Sequence, residues 1–399
     1  MSTVFALHGL ATTARALFDS YSTYQLAEIT SRCFTQAEMM GWLEPLRRSN
    51  VFEVEPIGQS AEGRTISLLS IGSGDTKVLM WSQMHGDEST ATMAILDMLS
   101  FFTAEGSRDP VARTITERLT LLMIPMLNPD GAERHQRRTA QLIDMNRDAL
   151  TLRTPEARIL KDARDKYRPA VGFNLHDQDP RTTVGTTKQV SAIALLAPPF
   201  DQAGSSNAVR ADAVKLASTF ATIMREFIPG NVTRYDDTFE PRAFGDNVQK
   251  WGTSTVLVES GGWPGDPEKM FLRKLNYVGL LTTLWALATG EHRRADTRVY
   301  EDLPLNTKYI YDLIFRNALL KANDCAPAVT VDIGINIDEE TDPKTGVRKS
   351  IGTVVDIGDL SLFISFEEIE MGGADAGDLI RQVDQRLSIE EIKLLKART

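Results

Sequence analysis

Cysteine is scarce in this chain, since Cys33 and Cys325 are the only two among 399 residues. Two cysteines exclude a framework of several disulfides. Thiols that are not joined in a disulfide are the simpler interpretation, and they favour a reducing compartment. The first twenty residues also lack a basic start, and His8 and Arg15 interrupt their apolar character, so they make a poor signal peptide. We therefore expect a cytoplasmic protein, unless a leader has been removed.

Long apolar runs and an excess of positive charge are also missing. No apolar stretch approaches the ~20 residues of a membrane span, and the longest, residues 278–289, predicts a buried helix. Lys and Arg number 44 against 54 Asp and Glu, a net charge of −10. Binding to nucleic acid needs clustered cations that neutralise phosphates. We therefore expect neither a membrane nor a nucleic-acid partner.

Apolar, strand-like runs alternate with amphipathic, helix-like segments from Lys77 onward. The predicted strands are Val78–Ser82, Leu119–Ile124, Val171–Leu175, Ala192–Ala197 and Thr255–Val258. The predicted helices are Ser89–Phe102, Val111–Arg118, Pro155–Tyr167, Asn207–Phe227 and Glu268–Ala288. This alternation predicts an α/β fold with a mixed, largely parallel central sheet and helices on both faces. Ligand sites of such sheets lie at the carboxyl ends of the strands.

The pattern divides the chain into three predicted parts. Residues 1–50 are predicted to be an N-terminal helical segment, with one or two short helices between residues 26 and 46. Residues 51–295 form the predicted α/β domain, which opens with two antiparallel strands at 52–55 and 65–69. Residues 300–399 are predicted to be a small β-rich domain with a helical tail. Its predicted strands are 309–314, 329–333, 350–355 and 362–366, and its predicted helices are 376–387 and 388–397.

His85 and Glu88 lie where a predicted strand gives way to a predicted helix. A His at the end of a strand and a Glu in the first turn of the next helix can direct an imidazole and a carboxylate toward one point. A catalytic zinc site takes three protein ligands, often two His and one Glu. His176 follows another predicted strand and supplies the second imidazole. The spacing of His85 and Glu88 alone is more often a surface helix start.

Three other histidines complete the set of five. His8, His135 and His292 do not end predicted strands, and we expect them to be ordinary surface residues. His135 is close enough in sequence to the site loop to remain a candidate substrate contact.

Further motifs follow in order along the chain. They are Asn128–Gly131, Arg137-Arg138, Asp144–Asp148, Asn174–His176 and Val256–Glu259. With His85 and Glu88, this series resembles the zinc carboxypeptidase family, the carboxypeptidase A-like metallopeptidases, from about Phe18 to about Gly290. The resemblance implies a carboxypeptidase-like fold and one zinc ion per chain. It also implies that His85, Glu88 and His176 are the zinc ligands.

The resemblance implies further roles around an amide bond. Glu259, at the end of the last predicted α/β strand, would be the general base that takes a proton from the attacking water. Arg137 would polarise the scissile carbonyl and stabilise the oxyanion. Arg138 is the alternative, because the register of this loop is open. Tyr235 is the nearest candidate for the family's mobile tyrosine.

The segment around residue 146 resembles the family's substrate-binding and ligand-supporting residues. Asp144 resembles the carboxylate that holds the first ligand His. Asn146 and Arg147 resemble the pair that binds the substrate's terminal carboxylate, which the planar donors of a guanidinium match well. Asp148 stands where the family often has Asn.

These residues predict a zinc metallocarboxypeptidase that hydrolyses a peptide or amide bond next to a free carboxylate, with a peptide or small amide as substrate. One alternative is a zinc amidase that acts on a cell-wall peptide or an N-acyl amino acid. Another is a catalytically silent module that binds peptides. The complete set of ligands and base argues against the silent module, whereas the two enzyme readings stay open.

Overall fold

The computed structural model describes residues 9–105, 108–321, 327–341 and 348–398 of the chain. Its residues fall into two compact units. The first comprises the described parts of Met1–Pro180 and Ser191–Asn306, and the second those of Arg181–Val190 and Thr307–Thr399. The division into residues 1–50, 51–295 and 300–399 stays a prediction.

The described strands are β1 (Glu53–Gln59), β2 (Thr65–Ile71), β3 (Thr76–Ser82), β4 (Leu119–Ile124), β5 (Val171–Asp177), β6 (Thr183–Val184), β7 (Ile193–Leu196), β8 (Val232–Arg234), β9 (Ser254–Ser260), β10 (Asn306–Thr307), β11 (Ile310–Leu320), β12 (Val329–Thr341), β13 (Arg348–Gly358), β14 (Ile364–Glu370) and β15 (Arg386–Ser388). The described α-helices are α1 (Leu10–Tyr24), α2 (Gln36–Arg47), α3 (Thr90–Glu105), α4 (Pro110–Arg118), α5 (Pro129–Glu133), α6 (Pro155–Tyr167), α7 (Ala208–Phe227), α8 (Phe244–Lys250), α9 (Met270–Thr289), α10 (Arg298–Glu301) and α11 (Ile389–Lys396).

The large sheet of the first unit has eight strands among the described residues, in the order β1-β2-β4-β3-β5-β9-β7-β8. Strands β4, β3, β5 and β9 are mutually parallel in that row. Strands β1 and β2 extend it antiparallel, and β7 returns antiparallel beside β9. The prediction of a mixed, largely parallel sheet is confirmed. The parallel centre brings the ends of β3, β5 and β9 to one edge of the sheet.

Helices cover both faces of this sheet, and each face carries its own core. Successive side chains of a strand point to opposite faces, and β3 shows this directly. Val78 and Met80 belong to a core shared with α1, α3, α7 and α9. Leu79 and Trp81 belong to a second core shared with α6 and α8. Residues 278–289, predicted as a buried helix, lie within α9. No helix in the described ranges has the length and apolar character needed to cross a membrane.

The N-terminal helices differ from the prediction of helices between residues 26 and 46. The prediction of a helical segment at residues 1–50 placed no helix at α1, and residues 25–35 form a loop between α1 and α2. Thr35 and Glu38 form a capping box that sets the start of α2. Helix α1 is rich in Thr, Ser and Tyr, which have modest helix propensity. Burial of Leu17 and Tyr21 against the first core stabilises it instead.

The second unit is built on a five-stranded sheet in the order β14-β11-β12-β13-β15 among its described residues. The predicted last helix is confirmed as α11, where Ser388 and Glu391 form a capping box. The predicted helix at 376–387 is wrong, because the segment forms turns and then β15. Local side-chain bonds compete with a helix there. Asp375 accepts from the Gly377 amide at 2.8 Å, and Gln385 donates to the Leu379 carbonyl at 2.7 Å.

Candidate metal centre

A tight turn after β3 carries His85. Gln83 has a φ of +48° there, and its side-chain amide donates to the Gly86 carbonyl at 2.9 Å. Only glycine fits at position 86, because a Cβ would collide with the backbone of Gly131. The turn therefore packs directly on the loop 128–131. Two of the motifs seen in the sequence are therefore in direct contact.

The loop 128–131 is itself held by the segment after β1. Asp130 is fully buried. Its carboxylate accepts from the Ser60 hydroxyl at 2.7 Å, the Glu62 amide at 3.0 Å and the Arg64 guanidinium at 2.7 Å. A buried carboxylate needs such partners. Residues 60–64 thus support the loop on which His85 rests.

His85, Glu88 and His176 converge at the carboxyl ends of β3 and β5. Nδ1 of His85 lies 2.7 Å from Oε1 of Glu88, and Nδ1 of His176 lies 2.6 Å from Oε2. The two imidazole rings are 4.9 Å apart between centroids. All three side chains are buried. The structure therefore brings together the three residues that the sequence predicted as ligands.

Asp144 and Arg137 lie on the other side of His85. Nε2 of His85 is 3.0 Å from Oδ1 of Asp144, so the carboxylate fixes the ring through the nitrogen that faces away from Glu88. Arg137 donates to Asp144 Oδ2 at 3.0 Å and to Glu88 Oε1 at 3.0 Å. Arg138 instead donates to the Leu142 carbonyl at 3.0 Å. Of the two arginines, the structure places Arg137 at the cluster.

The charges of this cluster are strongly coupled. Burial alone would raise the pKa of the Glu88 carboxyl, but His85 and His176 outweigh burial and hold that pKa well below its usual range. Burial alone would lower the pKa of His85, but the Glu88 carboxylate and Asp144 outweigh it and raise the pKa to about 9. For His176, burial dominates and lowers the pKa of the imidazole.

Glu259 and Tyr235 complete the rim of the cluster. Glu259 is the penultimate residue of β9 and lies in register with His176 of β5. Burial and the negative charge of Glu88 raise the pKa of the Glu259 carboxyl well above its usual range. Burial and the charge of Glu259 raise the pKa of Tyr235 to about 12. The half-buried Tyr235 is therefore close enough to Glu259 and Glu88 for their charges to raise its pKa.

Asn146 and Arg147 lie in the short helical turn 145–147 that follows Asp144. Oδ1 of Asn146 accepts from the Phe244 amide at 2.9 Å, which ties the turn to α8. Arg147 lies with Nε 3.4 Å from Oε2 of Glu240. Glu240 was not predicted as a site residue. It stands in the charged run 240–242, and no spacing rule marks it as a partner of Arg147.

The other histidines depart in part from the prediction of surface residues. His292 is buried, and its Nδ1 lies 3.1 Å from the Ala286 carbonyl oxygen. Burial results from the return of the chain onto α9. His135 is half-buried, with Nε2 3.2 Å from the Cys33 sulfur. His8 and Cys325 lie outside the described residues.

The donor set fits zinc. Two neutral imidazoles and one carboxylate are the ligands of many catalytic zinc sites, and ligand atoms of the three residues all lie within 4.8 Å of one another. His85 has a carboxylate partner on its far nitrogen, as metal-bound His usually does. The far nitrogen of His176, Nε2, is buried with no hydrogen-bond partner among the described residues.

Comparison with known families addresses the same region. A family model described as zinc carboxypeptidase matches residues 39–177. The matched segment contains all three candidate ligands and ends one residue after His176. Over these residues the chain is similar to the zinc carboxypeptidases. Glu259 lies beyond the matched segment, so the role predicted for it depends on its position in β9 beside His176.

Curated relatives resemble this chain over part of their length. Probable carboxypeptidase 2 of Arthroderma benhamiae is 26% identical over 164 residues, which cover 38% of this chain and 31% of the relative. Carboxypeptidase SOL1 of Arabidopsis thaliana is 25% identical over 190 residues, 43% of this chain and 38% of the relative. The chain thus spans about a third of the length of the curated relatives it matches.

Solved structures share the fold. A metallo-carboxypeptidase from Burkholderia cenocepacia has a TM-score of 0.52 at 19% identity, covering 64% of this chain and 70% of that one. Bovine thrombin-activatable fibrinolysis inhibitor, solved with tick carboxypeptidase inhibitor, has a TM-score of 0.54 at 13% identity, covering 67% of this chain and 99% of that one. The carboxypeptidase-like fold predicted from the motifs is confirmed.

Proposed function

We propose that this protein is a zinc metallocarboxypeptidase that hydrolyses a peptide or amide bond next to a free carboxylate. The observation that carries the proposal is the convergence of the two His Nδ1 atoms on the two oxygens of the Glu88 carboxylate, at 2.7 and 2.6 Å. His85, Glu88 and His176 would hold one zinc ion per chain. When bound, zinc lowers the pKa of water to roughly neutral and polarises a carbonyl oxygen.

Glu259 is the proposed general base. A base works best when its pKa lies near the operating pH, and burial raises the pKa of this carboxyl from its ordinary value. Glu259 would take a proton from the attacking water and deliver it to the leaving amine nitrogen. One carboxylate would serve both transfers, and the position of Glu259 beside His176 near the end of β9 supports this role.

Arg137 and the turn 145–147 would orient the substrate. Arg137 would donate to the carbonyl oxygen as negative charge develops there, which is the principle of an oxyanion hole. Arg147 would bind the terminal carboxylate, assisted by the side-chain amide of Asn146. The Asn146 side chain already accepts from the Phe244 amide through Oδ1, so its NH₂ group is the part that would face the carboxylate. Tyr235 is the proposed closing tyrosine.

The relatives support a peptide as the substrate class. They are named carboxypeptidases, and a metallo-carboxypeptidase from Pseudomonas aeruginosa with a TM-score of 0.50 was solved with (2-guanidinoethylmercapto)succinic acid. That ligand contains carboxylates, in line with the anion-binding role proposed for Arg147. A zinc amidase that uses the same residues on another carboxylate-bearing amide remains the second candidate, because Arg147 does not distinguish these substrates.

Two substitutions test the proposal by separating metal binding from chemistry. His176→Ala should lose most of the zinc measured by elemental analysis, since only two ligands remain. Glu259→Gln should keep about one zinc per chain, yet its turnover should fall by roughly 10²–10⁴, as for removal of a general base. Unchanged zinc in His176→Ala would reject the ligand set. Near-normal turnover in Glu259→Gln would place the base elsewhere.

A further inference from the structure

Lys269 lies in the loop before α9, and its ammonium group sits between the ends of two site strands. Nζ donates to Asp177 Oδ2 at 3.2 Å and to the Ser260 carbonyl at 3.0 Å. Asp177 follows the proposed ligand His176, and Ser260 follows the proposed base in β9. A single side chain therefore bonds both strands one residue beyond the groups that the reaction uses.

The partners of Lys269 connect it further to the metal centre. The Asp177 amide donates to Glu88 Oε2 at 3.2 Å, and its Oδ2 accepts from the Thr90 hydroxyl at 2.6 Å. The other oxygen, Oδ1, is buried with no hydrogen-bond partner in the described part of the chain. A buried carboxylate with an unpaired oxygen needs a positive charge beside it, and the Lys269 ammonium group supplies that charge to Asp177.

The last rung between β5 and β9 lies at the same place. The Gln178 amide donates to the Ser260 carbonyl at 3.0 Å, so this oxygen accepts from both Gln178 and Lys269. The two glycines after β9 are also tightly packed. A Cβ atom at Gly261 would collide with the Ser191 carbonyl oxygen, and a Cβ atom at Gly262 would collide with the Pro180 carbonyl oxygen. These contacts leave little room for the strand ends to shift independently.

Capping of α9 does not explain why a lysine is buried here. Asp266 caps the helix, since its carboxylate accepts from the amides of Met270, Phe271 and Leu272 at 2.7, 3.0 and 3.2 Å. Lys269 also has a φ of +56°, a left-handed conformation that is uncommon for residues other than glycine. Only 6% of its surface is exposed, and lysine is almost never buried unless it is paired.

We propose that Lys269 is a positioning residue that holds the ends of β5 and β9 together and so sets the place of His176 relative to Glu259. Its catalytic consequence rests on the proposed function, whereas the clamp itself does not. A shift of 1 Å between reacting groups can lower a rate by about a hundredfold, so a clamp one residue beyond the ligand and the base has a direct effect on turnover.

Lys269→Met in the zinc-loaded full chain tests the clamp, because methionine keeps much of the side-chain volume without the charge. Hydrogen exchange of the Asp177 and Gln178 amides should accelerate by about tenfold or more, as expected when a local contact that limits opening is removed. Turnover on a susceptible peptide should fall by roughly ten- to a hundredfold with KM within about threefold. Zinc should remain at about one per chain.

Lys274→Met is the matched control. Lys274 lies on α9 itself, and its Nζ is 3.4 Å from the centroid of the Phe18 ring. This contact does not involve the ends of β5 or β9. Its loss should leave the exchange of both amides and the turnover at wild-type values. Wild-type exchange in Lys269→Met would overturn the clamp, and fast exchange with wild-type kcat would overturn its catalytic consequence.

The double variant Asp177→Asn/Lys269→Met covers the case in which Lys269→Met does not fold. It removes both buried charges, so no uncompensated carboxylate remains to destabilise the chain. Fast exchange at Gln178 and low turnover with near-normal thermal stability would support the clamp. Wild-type exchange at Gln178 together with wild-type turnover would show that Lys269 only neutralises Asp177. That result would overturn the clamp. If the wild type cleaves no peptide, the proposed function fails, while amide exchange still decides the clamp.

Discussion

His85 and His176 face the same carboxylate but differ in their affinity for protons. Without metal, the Glu88 and Asp144 carboxylates outweigh burial and raise the pKa of His85 to about 9. Burial lowers the pKa of His176, and the pKa of Glu88 is held well below its usual range. At neutral pH, therefore, one of these three side chains carries a proton that zinc must displace, because zinc binds neutral imidazole and carboxylate.

This asymmetry predicts the pH dependence of metal binding. Zinc binding at pH 7.5 should release about one proton per ion or more, since His85 is protonated there, and affinity should rise by roughly tenfold or more per pH unit until the pH passes the pKa of His85, about 9. Calorimetry of the chelator-treated protein in buffers of different ionisation enthalpy measures the number of protons. Release of no proton would contradict the charge state assigned to His85.

Arg147 has an acidic neighbour that competes for its charge. Glu240 lies 3.4 Å away and also pairs with Arg242 at 2.8 Å. A substrate carboxylate must share or replace this pairing. Glu240→Gln should therefore lower KM for a free-acid substrate by about two- to fivefold, since an exposed ion pair contributes ~0.2–1 kcal/mol. KM for the matching amide should not change.

Steady-state kinetics on both substrates would measure this effect. Glu367→Gln is a suitable control, because Glu367 is paired with Lys396 in the second unit at 2.6 Å and is not a proposed site residue. A higher KM for the free acid in Glu240→Gln would show that Glu240 orients Arg147 for substrate and does not compete with it.

At the scale of elements, one fully buried ion pair joins helices α3 and α9. Arg273 of α9 donates to Asp97 of α3 at 2.5 and 2.7 Å, and both side chains are inaccessible to solvent. Arg273 also donates to the carbonyls of Leu26 and Ile29 at 3.0 and 2.9 Å. The pair thus fixes the loop after α1 to α3 and α9, two of the helices that cover one face of the sheet.

Breaking this pair should be costly. Arg273→Met leaves the Asp97 carboxylate buried without its charged partner, which should lower the free energy of unfolding by about 3–5 kcal/mol. Urea denaturation measures this loss. The double variant Asp97→Leu/Arg273→Met should recover a substantial part of it, because two apolar side chains replace two charges. A loss below about 1 kcal/mol in the single variant would be the size of an exposed pair and would contradict the buried network.

Local patterns predicted most elements of the first unit because its central strands are short apolar runs, buried on both faces, that alternate with helical segments. The bounds of β4 and α6 match their predictions, and α3, α7 and α9 differ by a few residues at their ends. Helix α1 and the turns at 376–387 were missed for opposite reasons. In α1, packing stabilises residues of modest propensity, whereas at 376–387 side-chain bonds within the loop override a helical pattern.

At the scale of the whole molecule, the order of the strands in the sheet and the partners of individual side chains could not be predicted from the sequence. The position of β7 antiparallel to β9 depends on pairing between segments that are distant in sequence. The spacing of apolar residues along the chain does not predict such pairing. The grouping of the three proposed ligands could be predicted from recognisable motifs, since His85 and Glu88 lie in the turn between β3 and α3 and His176 lies near the end of β5. Glu240 and Lys269 could not, since each acts on a partner more than ninety residues away in sequence.

The central claim is that the cluster at the ends of β3, β5 and β9 cleaves an amide bond beside a free carboxylate. The direct test compares kcat/KM of the zinc-loaded protein for an N-acylated dipeptide and for the same peptide with an amidated C-terminus. The free acid should be cleaved faster by on the order of ten- to a hundredfold, since a hydrogen bond to a charged group contributes about 1.5–3 kcal/mol. Arg147→Ala should remove most of that preference. Equal kcat/KM for acid and amide in the wild type would contradict carboxypeptidase action.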